Sequence, residues 1–312
     1  MAREALALES NVPGDFFVDS TCIDCDACRI IAPSVFREAD DQSAVYRQPD
    51  TPEQLLAAQK ALVSCPTASI GSRSKRSVAA AVAGYPERIA DEVYFCGFTS
   101  ESSFGALSYL VRCDDGNLLV DSPRFTAPLA RNIEKLGGAK RMLLTHRDDV
   151  ADHAKFRDRF GCERVLHRDD VTRETSMVET QPAGREPIEL APDLVMIPTP
   201  GHTRGHAVFL VRETFLFTGD HLAWNARRSH LYAFRSACWY SWDEQIRSME
   251  SLLDFRFEWV LPGHGRSIHL PAKRLHEELA KCVEWMKEKS FKVQSSKIKV
   301  QTEDAETLNF EP

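Results

Sequence analysis

Beyond residue 90 the apolar residues come in short runs separated by Gly, Pro and Asx turns. Val93-Tyr94-Phe95, Leu107 to Arg112, Leu118 to Asp121, Met142 to Leu144, Leu194 to Ile197, Phe215 to Phe217 and Phe257 to Leu261 read as strands. Asp114-Asp115-Gly116-Asn117 reads as a hairpin turn. Helical stretches lie between: Ala127 to Leu136 closed by Gly137-Gly138, His153 to Phe160 capped by Gly161, Asp243 to Leu253, and Pro271 to Lys289. The last puts Leu275, Leu279, Cys282 and Met286 on one face. This pattern predicts a mixed domain over 91–290. Residues 1–72 form a separate, smaller pattern with a helix over Pro52 to Val63. Between them, Arg73-Ser74-Lys75-Arg76-Ser77 and Gly84-Tyr85-Pro86 predict a linker over 73–90, a hinge or an internal electrostatic clamp. Residues 291–312 are polar without period and predict a loose tail.

Several strands end in metal-ligand residue types. Met142 to Leu144 runs into His146-Arg147-Asp148-Asp149-Val150-Ala151-Asp152-His153, two imidazoles and three carboxylates in eight residues. Such groups are costly to desolvate together unless a cation neutralises them. Downstream come Thr199-Pro200-Gly201-His202, Thr218-Gly219-Asp220-His221 and Pro262-Gly263-His264, each after an apolar run. Loops at the ends of strands in a rigid core can bring such side chains to one point. Imidazole and carboxylate suit zinc, iron or manganese.

The first segment carries Cys22-Ile23-Asp24-Cys25-Asp26-Ala27-Cys28, with Cys65-Pro66 much later. Three close thiolates and a remote Cys-Pro suit a cubane iron–sulfur cluster better than zinc, which favours paired knuckles. A unit this small also needs a staple.

Two resemblances follow. Residues 1–72 resemble a single-cluster bacterial-type ferredoxin, which implies that Cys22, Cys25, Cys28 and Cys65 bind one [4Fe–4S] cluster. From about Glu92 to Arg266 the motif series resembles the metallo-β-lactamase fold, with its Thr-His-x-His-x-Asp-His loop, Gly-His-Thr turn, Gly-Asp bridging ligand and late Gly-His. The implied architecture is an α+β ferredoxin-like domain followed by a four-layer αββα metallo-β-lactamase domain. The resemblance gives His146 and His202 to one metal ion, Asp152, His153 and His264 to a second, and Asp220 to both. One or two divalent ions are implied, zinc or iron, or manganese. The second His of the loop is missing: either Asp148 or Asp149 replaces it, or the first site lacks a ligand. A carboxylate there shifts preference from zinc toward iron or manganese. Asp121 is expected beneath the metals as an orienting group, with His206 and His221 in supporting roles.

Composition narrows the reading. The chain has 43% hydrophobic and 27% charged residues, ordinary for a globular protein. No apolar run approaches a membrane span, and acids at the N-terminus argue against a signal peptide, so a cytoplasmic protein or a mature organelle protein is expected. Nine cysteines, an odd number, argue against a disulfide framework. Residues 1–70 hold eleven Asp or Glu against five Lys or Arg, which argues against nucleic-acid binding and for a redox partner with a basic surface. Leu222 to Trp242 is rich in aromatic and basic residues. Its Trp224, Arg227, His230 and Trp239 are candidates for a substrate pocket, with Arg groups binding an anionic small molecule. The same segment also suits a docking face for the first domain. The expected activity is metal-dependent hydrolysis by a metal-activated hydroxide, with Asp152 as ligand and catalytic orienting group. The alternatives are an iron-dependent oxidoreductase fed by the cluster, flavodiiron-like or persulfide-oxidising, and a non-catalytic binding module.

Overall fold

The computed structural model describes residues 2–288, so the tail expected over 291–312 lies outside the described residues. The first unit runs β1 (Phe16–Val18), α1 (Ala27–Ile31), β2 (Phe36–Ala39), β3 (Gln42–Val45), α2 (Pro52–Ser64) and β4 (Ile70–Ser72). β1 pairs with β4 and β2 with β3, both antiparallel. α2 begins where the sequence places it, because the Thr51 side chain accepts the Gln54 N–H and Pro52 has no N–H that needs an acceptor. The core is small: Phe16, Val18, Val35, Phe36, Val45 and Ile70 with two alanines of α2.

The segment expected as a hinge is structured. It contains α3 (Ala79–Ala83) and β5 (Glu87–Ala90), and β5 pairs with β6 (Val93–Phe95) as an edge of the next sheet. Tyr85 is buried, with its hydroxyl 3.0 Å from Ser64 Oγ. The two units are further joined by Thr99, which donates from N and Oγ1 to the Ser64 carbonyl, and by Arg124, which donates to the Val63 carbonyl. The apolar residues after the basic run are therefore spent on packing between the units.

The first sheet continues with β7 (Tyr109–Val111), β8 (Leu118–Val120), α4 (Ala127–Lys135), β9 (Arg141–Leu144), α5 (His153–Phe160) and β10 (Glu163–Leu166), in the order β10-β9-β8-β7-β6-β5. β8, β9 and β10 are parallel, so α4 and α5 are crossovers. Right-handed crossovers that step the same way along a sheet put both helices on one face. The other face meets a second sheet, as Tyr109 and Phe217 show with ring centroids 5.4 Å apart. That sheet comprises β11 (Ile188–Ala191), β12 (Leu194–Pro198), β13 (Ala207–Val211) and β14 (Phe215–Gly219). After a hairpin of β15 (Ala223–Asn225) and β16 (His230–Tyr232) and the helix α6 (Trp242–Ser251), it ends with β17 (Trp259–Pro262) and β18 (Ile268–His269).

Alternation in β13 shows how the second sheet is covered. Ala207, Phe209 and Val211 share a core with the first sheet, whereas Val208 and Leu210 pack with Ile246 and Met249 of α6 and Leu275 and Leu279 of the helix over 272–288. The layers are helix, sheet, sheet, helix, the αββα order the resemblance implies. β8 and β9 are parallel, as are β14 and β17, and β12 runs with β14 because β13 opposes both. Loops leaving their C-terminal ends carry Asp121, His146, His202, Asp220 and His264.

Candidate metal centre

Two ligand-type imidazoles are aimed by a partner on the other side of the ring. Thr145 donates from N (2.8 Å) and Oγ1 (3.0 Å) to Asp121 Oδ1, and its Oγ1 lies 3.0 Å from His146 Nδ1. This fixes the ring with Nε2 3.9 Å from Asp220 Oδ2. His202 Nδ1 is held by the Ala237 carbonyl at 2.5 Å, which turns Nε2 toward Asp148 Oδ2 (3.5 Å) and Asp220 Oδ2 (3.8 Å). Asp220 Oδ1 meets His264 Nδ1 at 2.7 Å. Asp149 is buried, with Oδ2 4.0 Å from His146 Nδ1. Ligand atoms of His146, Asp148 and His202 lie within 4.8 Å of one another, and so do those of His146, Asp149 and Asp220.

These residues fit a cation. His146 Nε2, His202 Nε2 and Asp149 Oδ2 are buried without any hydrogen-bond partner, a costly state for polar atoms unless something else satisfies them. Burial pushes the His146 imidazole down to about 4, keeping a lone pair free. Burial, then the nearby Asp220 charge, raises the Asp149 carboxyl well above its ordinary range. His264 is pushed up to about 10: burial works against it, and the Asp220 carboxylate outweighs burial. Protons thus sit where a cation would otherwise balance the charge.

Two expected ligands are elsewhere. Asp152 precedes α5; its Oδ2 accepts the Phe125 N–H at 2.7 Å and its Oδ1 pairs with Lys155 at 2.7 Å. His153 opens α5, and its Nδ1 faces the buried Arg164 guanidinium at 3.0 Å. The turn through Val150 and Ala151 (φ +23°) delivers Asp149 inward and carries Asp152 and His153 to the start of the helix. Neither Asp152, expected as ligand and orienting group, nor His153, expected as ligand, is among the side chains gathered here. Asp148 and Asp149 stand among the gathered side chains instead.

The residues expected in support are buried beside the centre. His206 Nδ1 contacts Thr199 Oγ1 at 2.9 Å, and its Nε2 accepts the Asp220 N–H at 3.3 Å. His221 stacks on His206, with centroids 5.5 Å apart, and both its ring nitrogens are buried without partners. Gly263 and Gly219 are required here. A Cβ on Gly263 would sit 2.7 Å from Asp149 Oδ2, and one on Gly219 2.5 Å from Thr145 Oγ1. Sequence reasoning missed Asp170, which is buried and accepts from Arg147 N, Thr203 Oγ1 and Gly205 N. It ties the Asp148 loop to the His202 turn. No local motif marks it, because its partners are distant in the chain.

The centre opens into a cavity of about 680 Å³. Tyr232, Phe234 and Trp239 line it from the aromatic-rich segment, Phe104 from the loop before β7, and Asp24, Cys25 and Asp26 from the first unit. Of the expected pocket residues, Trp239 alone is there. Trp224 and Arg227 line a separate groove between the units, where Arg227 pairs with Glu38, and His230 Nδ1 faces the Leu231 carbonyl. The hairpin of β15 and β16 thus carries these three away from the cavity that Trp239 lines. No Lys or Arg lines the cavity among the described residues.

The four cysteines of the first unit surround one small cavity. The amides of Ser43 and Ser69 donate to Cys22 and Cys65 Sγ at 3.5 and 3.3 Å. Burial, above all, pushes the Cys25 thiol up to about 12 and Cys28 higher still. Free thiolates would be untenable there, whereas iron would stabilise them. Residues 18–72 match the family of the 4Fe-4S single cluster domain of Ferredoxin I. This segment is a ferredoxin-type domain.

The chain is also 30% identical over 80 residues to the Beta-lactamase-like protein 2 homolog of Drosophila melanogaster. That match spans 26% of this chain and 24% of the relative, about a quarter of its length. Among solved structures, it is similar to the DIM-1 metallo-β-lactamase (16% identity, 64% of this chain, 95% of that one, TM-score 0.48). It is also similar to the mono-zinc form of the FIM-1 enzyme of Pseudomonas aeruginosa (19%, 63%, 93%, TM-score 0.47).

Proposed function

We propose that this protein is a metal-dependent hydrolase of small molecules whose centre is built by His146, Asp148 and His202 on one side, Asp149 and His264 on the other, and Asp220 between. The observation that carries this reading is the trio of buried, partnerless atoms, His146 Nε2, His202 Nε2 and Asp149 Oδ2, converging on Asp220. A pair of divalent cations held there would lower the pKa of a shared water enough to supply hydroxide near neutral pH and would stabilise the oxyanion formed on an ester, thioester or phosphorus centre. The chain's own residues orient and exclude. Asp121, through Thr145, fixes His146; the Ala237 carbonyl fixes His202; the Asp220 amide is held by His206. A molecule bound against the aromatic wall would displace water from around the reacting group.

The test is hydrolysis of simple ester and thioester substrates by the holoprotein, its loss on chelation, and its recovery with zinc, iron or manganese. Absence of metal-dependent turnover with all of them would remove the reading. A second reading, an iron-dependent oxidoreductase, draws on one observation: Cys25 of the ferredoxin-type domain lines the same cavity as His202, Asp220 and His264. Turnover that changes with the redox state of the cluster would favour it over hydrolysis.

A further inference from the structure

Only five large apolar side chains are exposed among the described residues, and two of them, Phe104 (55% exposed) and Trp239 (64%), line the metal cavity. Each stands beside a ligand-type imidazole: the Phe104 ring is 6.1 Å from that of His264, and Trp239 is 6.2 Å from His202. Uncovered aromatic surface of this size is costly in water and gains by being covered. The rest of the wall is aromatic (Tyr232, Phe234), neutral and polar (Ser102, Ser103, Ser236) or acidic. Its acids come partly from the ferredoxin-type domain, where Asp24 pairs with Arg29 and Asp26 with Arg29 and Arg266, yet neither arginine lines the cavity. An anionic body would find no cation there beyond the metal centre itself.

We infer that the substrate site is composite, completed by the Asp24–Asp26 loop of the ferredoxin-type domain, and takes an uncharged or cationic molecule with an aromatic or apolar body covered by Trp239 and Phe104. This rests on the hydrolase reading and names its substrate class. The reactive carbonyl enters toward Asp220, and the body lies against the aromatic rings. A cationic group gains from the ring faces and from the Asp24 carboxylate.

The test uses the full-length holoprotein and two sets of probes. Phenylacetyl thioesters of thiocholine, ethanethiol and mercaptoacetate carry a cationic, a neutral and an anionic leaving group, and each rate is read relative to that thioester's own hydrolysis by hydroxide in water. Benzyltrimethylammonium and benzyl alcohol report binding by calorimetry without turnover. The first two thioesters should show kcat/KM about tenfold above the third, the size of one cation–π or charge contact. Trp239→Ala should weaken benzyltrimethylammonium binding by a similar factor, and Asp24→Asn should narrow the preference for thiocholine over mercaptoacetate. Equal or better use of the mercaptoacetate thioester, or calorimetric binding indifferent to Trp239→Ala, would overturn the inference. If no thioester is turned over, the hydrolase reading fails, while the calorimetry still decides the chemistry of the cavity.

Discussion

Cys25 and Gly105 are in direct contact: a Cβ on Gly105 would sit 2.7 Å from the Cys25 sulfur, and Gly105 adopts φ +84°. One glycine of the second unit thus touches a cysteine expected to hold the cluster. The next residue back, Phe104, offers its carbonyl to His264 Nε2 at 3.3 Å. Gly105→Ala adds both a clash and a left-handed residue with a side chain, the latter alone worth about 1–2 kcal/mol. The variant should purify with iron and sulfide content clearly below wild type. Full content of both would mean that the two units yield to each other more easily than this packing implies.

Asp149 and Asp152 differ by three positions and have opposite surroundings. Asp149→Ala should lose metal, and Asp152→Ala should keep it, losing only the bond from Phe125 N and the contact with Lys155, at about 1 kcal/mol of stability. Metal content of the two purified variants, with thermal unfolding beside it, separates them. Metal lost from Asp152→Ala but retained in Asp149→Ala would restore the ligand set expected from the motif.

Asp170→Ala leaves three donors, Arg147 N, Thr203 Oγ1 and Gly205 N, without their acceptor. A cost of about 3 kcal/mol in stability is expected from buried donors left unpaired. Metal affinity should fall about 10- to 100-fold, the usual effect of removing a group that positions ligands. Equilibrium unfolding and a metal-competition titration read the two effects separately.

Glu179 offers a pH signature away from the centre. Burial would raise its carboxyl, but bonds from the Arg164 side chain and amide and the Arg164 charge bring it down to about 2. A carboxyl depressed in the folded state stabilises above its unfolded pKa and loses that contribution as pH falls through the folded value. The stability difference between wild type and Glu179→Gln should therefore be full at neutral pH, shrink below about 4.5, and vanish near 2. A difference that does not vary with pH would assign the effect to packing.

Much of this was legible along the chain because local physics decided it. The Cys22, Cys25 and Cys28 spacing forces three thiols into one loop, and α5 ends at Phe160 because Gly161 takes φ +67°. Strand-end histidines and Asp220 converge because parallel strands share an edge. Which residues of the ligand loop face inward was not legible, because it depends on how the chain turns between β9 and α5. That turn is set by distant groups, Phe125 N and Arg164. The aromatic-rich segment was visible in composition, but which of its residues faces the centre follows from the hairpin of β15 and β16 docking on the ferredoxin-type domain.

The most direct test is metal content by element in the purified wild type, Cys25→Ala, and the pair His202→Ala and Asp220→Ala. The account predicts two pools. The iron and sulfide of the cluster should fall in Cys25→Ala, and a second complement of zinc, iron or manganese should survive in Cys25→Ala and fall in His202→Ala and Asp220→Ala. Wild-type protein carrying no metal beyond that of the cluster, or a second complement untouched by either of the last two substitutions, would contradict it.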